Sequence, residues 1–257
     1  MGRIASENLN SSVECFFNPT DAKYRQVEDT EDTVNYLTHA ITQKLVKVRT
    51  FNMTGHERNR ITQMTLAVSD LERISDHAIN IAEYALQLKQ KKTALSDKAM
   101  GEIKTLSQSV TSAVDFCIDI FESDDFDKLD EAEKQEQAVD ELEKKLLNNH
   151  IARLFDRQCD PHASVIFTNI ASALERCSDH AINIAFALHN TTSALSHNAN
   201  VYNMYITHNT HVTYIIYHIY TPLGVAASSP RQRDLSLVWF TVQTQENRSD
   251  YQRTKGK

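Results

Sequence analysis

Apolar residues recur at steps of three and four along roughly the first 190 positions, the spacing of helices that bury one face. The clearest run carries Ile61, Met64, Val68, Leu71, Ile74, Ala78, Ile81, Ala85 and Leu88, and it predicts one long bundle helix. Its ends are marked. Thr54 and Glu57 stand at capping-box spacing before it, and Lys89, Lys91 and Lys92 close it where cations suit the helix dipole. Asp160-Pro161 opens a second helix of this kind, and Asn18-Pro19 is expected to open another from Asp21. The pattern is ABC followed by ABC. Met1-Gly2-Arg3-Ile4 opens a stretch ending near Phe17, and Met100-Gly101-Glu102-Ile103 opens its partner, ending near Phe121. Asp21-Ala22-Lys23 with Glu31, Val34 and Leu37 is answered by Phe126-Asp127-Lys128 with Glu136, Val139 and Leu142. The fold class expected is all-α, two tandem three-helix bundles of six long antiparallel helices with an irregular C-terminal tail. The repeats are placed at 1–93 and 94–196, leaving 197–257 unassigned, a segment whose β-branched and aromatic run His211 to Tyr217 has no helical stripe.

The repeat is tightest in helix C. Glu72 to Ala82 reads ERISDHAINIA and Glu175 to Ala185 reads ERCSDHAINIA, so only Ile74 and Cys177 differ. At 100° per residue, Leu71, Ile74, Ala78 and Ile81 form the buried stripe and Glu72, Asp76 and Asn80 take the opposite face. A repeat that kept only a core would let those polar residues drift. The copied acids therefore call for chemistry rather than packing.

Composition narrows the classes. Five Gly and four Pro are too few for the turns of a β-sandwich or barrel. The formal charge of −7 argues against nucleic acid and suits cations or a basic protein surface. Cys15, Cys117, Cys159 and Cys177 form no CxxC pair and follow no secretory signal, so reduced, buried thiols are expected. No apolar run is long enough to span a bilayer.

Glu72 and Asp76, like Glu175 and Asp179, sit one turn apart, and two such carboxylates repel. A divalent cation turns that repulsion into attraction, and all-oxygen ligands favour Mg, Mn or Fe(II) over thiophilic ions. In helix B, Glu31 and Glu136 edge toward the apolar stripe, with Asn35 and Asp140 one turn on. A carboxylate drawn into that seam needs an arginine or a metal, and the sequence leaves the two open. His77 and His180 fall between the faces and read as packed boundary residues. No Glu-x-x-His pair, nucleophile elbow, phosphate loop or HExxH occurs, which argues against a di-metal carboxylate enzyme and against catalysis generally.

LERISDHAINIAE and LERCSDHAINIA resemble the repeated E(D)xxxD signature of the PhoU family, regulators of bacterial phosphate uptake built from two three-helix bundles. The resemblance covers about residues 1 to 190. It implies that Glu72, Asp76, Glu175 and Asp179 ligate metal clusters, with Glu31, Glu136 and Asp140 contributing. The ion so implied is a divalent or iron-type metal, Fe, Mn, Mg or Zn, whose identity the sequence does not give. Asn35 stands where the family pattern carries an acid, leaving the first unit one ligand short. The opening MGRIASENL and the nearby VECFF are also similar to the PhoU-like cytoplasmic domain of sodium-dependent phosphate cotransporters. That likeness implies a non-enzymatic regulatory module, cytoplasmic or on the cytoplasmic face of the inner membrane, with Met1 an internal start and its own membrane domain as partner. The alternatives are a stand-alone PhoU-type regulator acting on a membrane phosphate transporter, with a homodimer admitted, and a spectrin-like structural repeat.

Overall fold

Six α-helices follow one another among the described residues: α1 (Gly2–Phe17), α2 (Asp21–Val48), α3 (Gly55–Lys91), α4 (Asp97–Ser123), α5 (Leu129–Phe155) and α6 (Pro161–Ala187). A single 3-10 turn, Phe126–Lys128, precedes α5, and no described residue lies in a strand. The structure is a computed structural model that describes residues 1–49, 51–156 and 159–189, all within one unit, Met1–Ala194. The tail assigned to 197–257 lies outside the described residues.

Local chemistry sets most boundaries. Thr54 and Glu57 complete the expected capping box, each satisfying the other's backbone N–H. Asp160 accepts from the Ala163 N–H at 2.9 Å, with Pro161 at the first helical position. Two starts differ from expectation. Asn18 closes α1, donating its N–H to Glu14, and α2 is capped by Thr20, whose hydroxyl accepts from the Lys23 N–H at 3.2 Å. α4 begins three residues before Met100, because Ser96 offers its hydroxyl to the Ala99 N–H. Gly101 is then an ordinary exposed helical position. α3 ends at Lys92 in the left-handed region, φ 52°, and the Thr93 N–H bonds back to the Leu88 carbonyl at 3.2 Å.

α3 and α6 form the centre, with α1 and α2 packed on α3 and α4 and α5 packed on α6. The expected stripe is what they bury: Leu71, Ile74, Ala78 and Ile81 are at most 5% exposed. One continuous apolar core runs from Ala5 and Leu9 through Ile74 and Leu106 to Phe167 and Ile184. Where α3 crosses α6, equivalent residues of the repeat meet. His77 stacks on His180 with ring centroids 5.7 Å apart, and the Cys177 sulfur lies 4.0 Å from the Ile74 carbonyl oxygen. At a site that faces its own copy, two large branched side chains would overpack a close-packed interior. The one difference in the eleven-residue repeat falls there.

The outer helices are less alike. Carrying the Glu31–Glu136 register back along the chain pairs Gly2 with Ser107, so Asp97 to Leu106 has no counterpart in α1.

Candidate metal centre

The second copied face assembles a carboxylate cluster. Glu136 and Asp140, one turn apart on α5, and Asp179, across from them on α6, each bring one oxygen to within 4.8 Å of the others. Among the described residues only this face gathers three ligand atoms so closely. Glu175, one turn before Asp179, is 3% exposed, far from the solvated position that the helix wheel alone suggests. The α5 packing explains it, since the polar face of α6 is turned against the next helix instead of water.

A cation already belongs to this cluster. Lys144 sits one turn after Asp140, and its Nζ donates to Asp140 Oδ2 at 3.0 Å. Burial works against its charge, but the bond to Asp140 and the charges of Asp140, Glu143 and Glu175 outweigh that and raise its pKa. Sequence reasoning passed over Lys144, although its i, i+4 spacing from Asp140 was the available signal.

The first face carries the same helix C acids in a looser arrangement. Asp76 has its pKa pushed up to about 6, first by burial and then by the charges of Glu72 and Glu31, with Arg73 opposing. Burial also raises Glu31, against a hydrogen bond from Asn35, with the charges of Asp32, Glu72 and Glu28 adding to the rise. Glu31, Glu72 and Asp76 thus share one electrostatic neighbourhood without the three-oxygen convergence of the second face. Two substitutions separate the faces. Asn35 replaces Asp140, removing a carboxylate, and the exposed His39 replaces Lys144.

Neither histidine is among the three converging ligands; His180 is buried and His77 partly buried. His180 Nδ1 lies 3.0 Å from Asp70 Oδ1. Asp70 has Ala173 as its repeat counterpart, so comparing the repeats gave no hint of this contact. Burial, followed by the fields of His180, Arg176 and Arg73, lowers the pKa of His77 to about 4 and keeps its ring neutral. Cys15, Cys117 and Cys177 are buried free thiols as expected, whereas Cys159 is partly exposed. Burial pushes the Cys117 thiol up to about 12, so it is unreactive as well as hidden.

The donor set fits a hard cation: three carboxylates from two helices, with Glu175 buried beside them, in a chain whose acids outnumber its bases. A model of the PhoU domain matches residues 1–85 and again 103–188, so both copies of the acidic motif fall inside it. The chain belongs to the PhoU family. It is 27% identical over 182 residues to the phosphate-specific transport system accessory protein PhoU homolog 1 of Thermotoga maritima, covering 70% of this chain and 78% of that protein. A second relative, the PhoU homolog of Pseudomonas aeruginosa, is 27% identical over 189 residues, covering 72% of this chain and 76% of that one. The crystal structure of PhoU from Pseudomonas aeruginosa shares the fold, with a TM-score of 0.70 at 22% identity over 76% of this chain and 92% of that one. The phosphate transport system regulatory protein PhoU from Streptococcus pneumoniae matches at a TM-score of 0.67 and 18% identity, over 75% and 90% of the two chains. The all-α architecture expected from the apolar spacing, and the PhoU-like fold that the motif resemblance implied, are therefore the fold of the family.

Proposed function

We propose that this PhoU-family chain is a non-enzymatic regulator of phosphate transport, working as an accessory protein on a membrane transport system. The family match across both repeats carries the reading, and the relatives that bear the name of a phosphate transport accessory protein support it. They favour the stand-alone regulator over the cotransporter domain, because the names matched are those of accessory proteins. No described helix is long and apolar enough to cross a membrane.

The acidic faces supply the regulatory input. Glu136, Asp140 and Asp179, with Glu175 next to them, would hold a hard divalent ion on the second face; Glu72, Asp76 and Glu31 form a poorer site on the first. Such an ion supplies positive charge that compensates the packed carboxylates. Lys144 meets part of that need, so ion binding would compete with the Lys144–Asp140 pair and free a lysine at the surface of α5.

Two measurements test the reading. Millimolar Mn(II) is expected to raise the melting temperature of the full chain by mass action, a gain lost in Glu136→Gln and Asp179→Asn. An unchanged Mn(II) shift in both variants removes the second face as the site. For function, phosphate uptake is measured in a bacterium lacking its own PhoU-type regulator, supplied with this chain and its cognate transporter. Uptake that ignores the soluble chain defeats the regulatory reading.

A further inference from the structure

The turn from α2 into α3 carries a charge opposite to that of the whole chain. Residues 44–60 hold Lys44, Lys47, Arg49, Arg58 and Arg60 against one acid, Glu57, in a chain of net charge −7. All five cations are exposed. Arg49 and Arg58 have no carboxylate partner among the described residues; Arg49 donates to the Thr62 hydroxyl at 3.3 Å and Arg58 to the Met53 carbonyl at 2.9 Å. Apolar surface is interleaved with them, for Phe51 is 71% exposed and Val46 56%.

The second bundle shows which of these positions stay open when a helix runs the full length beside them. There the first turns of α4 pack against the end of α5, and Glu102 accepts from Asn149 at 3.2 Å and from Arg153 at 2.6 Å. Even so, Ala152, Asp156 and Pro161, in the places of Lys47, Phe51 and Arg58, are exposed. Lys44 and Val48 answer to the covered Asn149 and Arg153, and the argument does not use them. The tip also stands clear of acids. Arg60 meets Asp124, at the end of α4, at 3.7 Å, and lies five residues, about 7.5 Å, along α3 from Gly55. At physiological salt that is about one Debye length, so Asp124 is screened from the loop that carries Phe51. The other tip has an exposed phenylalanine too, Phe155 at 80%, but its neighbours Asp156, Arg157 and Asp160 sum to a negative charge.

We infer that the α2–α3 turn seats the protein end-on against an anionic lipid surface. Lasting attachment takes an apolar anchor and a basic patch together, and this turn has both: Phe51 and Val46 enter the interface while Lys47, Arg49 and Arg58 remain among the headgroups. Each cation near such a surface strengthens partitioning about fivefold. A bilayer is favoured over an acidic protein because the tip is a convex helix end with apolar and cationic side chains interleaved, which a headgroup layer takes without a preformed socket. The negative charge of the remainder sets the orientation, since any other end of the molecule is repelled. The inference goes beyond the regulatory reading and does not rest on it, because lipid vesicles contain no transporter.

The assay is sedimentation of the full chain with vesicles of phosphatidylglycerol and phosphatidylcholine, one part to two, against phosphatidylcholine alone. Partitioning onto the anionic vesicles is expected to be stronger by about tenfold or more, and to fall as salt rises. Phe51→Ser and Lys47→Glu should each weaken it about tenfold or more, while Phe155→Ser at the other tip leaves it unchanged. Phe51 is at the surface, so its substitution keeps the test valid if Lys47→Glu loses helical circular dichroism. Three results overturn the inference: no sedimentation with anionic vesicles, whether or not the chain binds polyglutamate instead; equal binding to phosphatidylcholine alone; or binding that survives Phe51→Ser, as attachment through another segment would give.

Discussion

Asp76→Asn should stabilise the metal-free chain at neutral pH. Burial and the charges of Glu72 and Glu31 raise the Asp76 pKa from 3.8 to about 6, so the folded state holds its ionised form at a penalty. Taken at face value that shift is about 3 kcal/mol. Asp76 is only half-buried and water screens part of the repulsion, so about 1 to 2 kcal/mol is the appropriate expectation. For a core of this size that corresponds to a rise in melting temperature of about 2 to 8 °C. The sign with pH follows from proton binding. Above pH 6 the residue is ionised folded and unfolded, and the whole penalty is present. Between about 6 and 3.8 the folded state takes up the proton first, and below 3.8 the penalty is gone. The advantage of Asn should shrink over that interval. His77 works the opposite way, losing stability as pH falls from 6.5 to about 4, so the wild-type profile alone cannot isolate Asp76. The difference between wild type and variant does isolate it. Calorimetry in chelator at pH 7.5 and pH 4 is the assay, and an Asn variant no more stable than wild type at pH 7.5 refutes the electrostatic account of the first face.

Two further substitutions probe the packing. Arg153→Ala breaks a nearly buried two-bond pair with Glu102 and should lower stability by about 3 to 5 kcal/mol, whereas Arg153→Met with Glu102→Met recovers most of it in urea denaturation; a single-variant loss under about 1 kcal/mol would sink that reading. Cys177→Ile should overpack the α3–α6 crossing by about 1 to 3 kcal/mol, and adding Ile74→Cys should restore it, so a swap no better than the single variant shows that the two sites are not size-complementary.

Periodicity carried the fold because each buried stripe is a local property of one helix. Leu71, Ile74, Ala78 and Ile81 repeat at 3.6 residues regardless of what covers them. The caps at Thr54 and Asp160 were legible for the same reason, their partners lying three residues away. What the pattern could not give was which face meets which. The helix wheel set Glu175 opposite the stripe, and only the arrival of α5 makes that a buried position. Lys144 in the cluster, Asp70 on His180 and Glu102 on Arg153 belong to the same class, because each pairing bridges helices or depends on the surroundings they create. The length of α4 was misread too. Met100-Gly101 mimics Met1-Gly2, and similarity of letters outweighed the cap at Ser96.

The repeat itself holds the most physical information, and it lies in the exceptions. Helix C is copied almost unchanged because α3 and α6 meet each other: a residue at the crossing has its own copy as a neighbour, and His77 on His180 satisfies that condition by stacking. Ile74 cannot do likewise, since two isoleucines at a self-facing site exceed the space that one isoleucine and one cysteine fill. Helix B packs chiefly on helices A and C of its own bundle rather than on its own copy, so it was free to diverge. There Asn35 against Asp140 and His39 against Lys144 leave one face with dispersed charge and the other with three converging oxygens and a lysine. The chemical asymmetry of the molecule is therefore written in the helices that pack chiefly within their own bundle, and a metal distinguishing the two faces would do so through α2 and α5 rather than through the motif that marks the family.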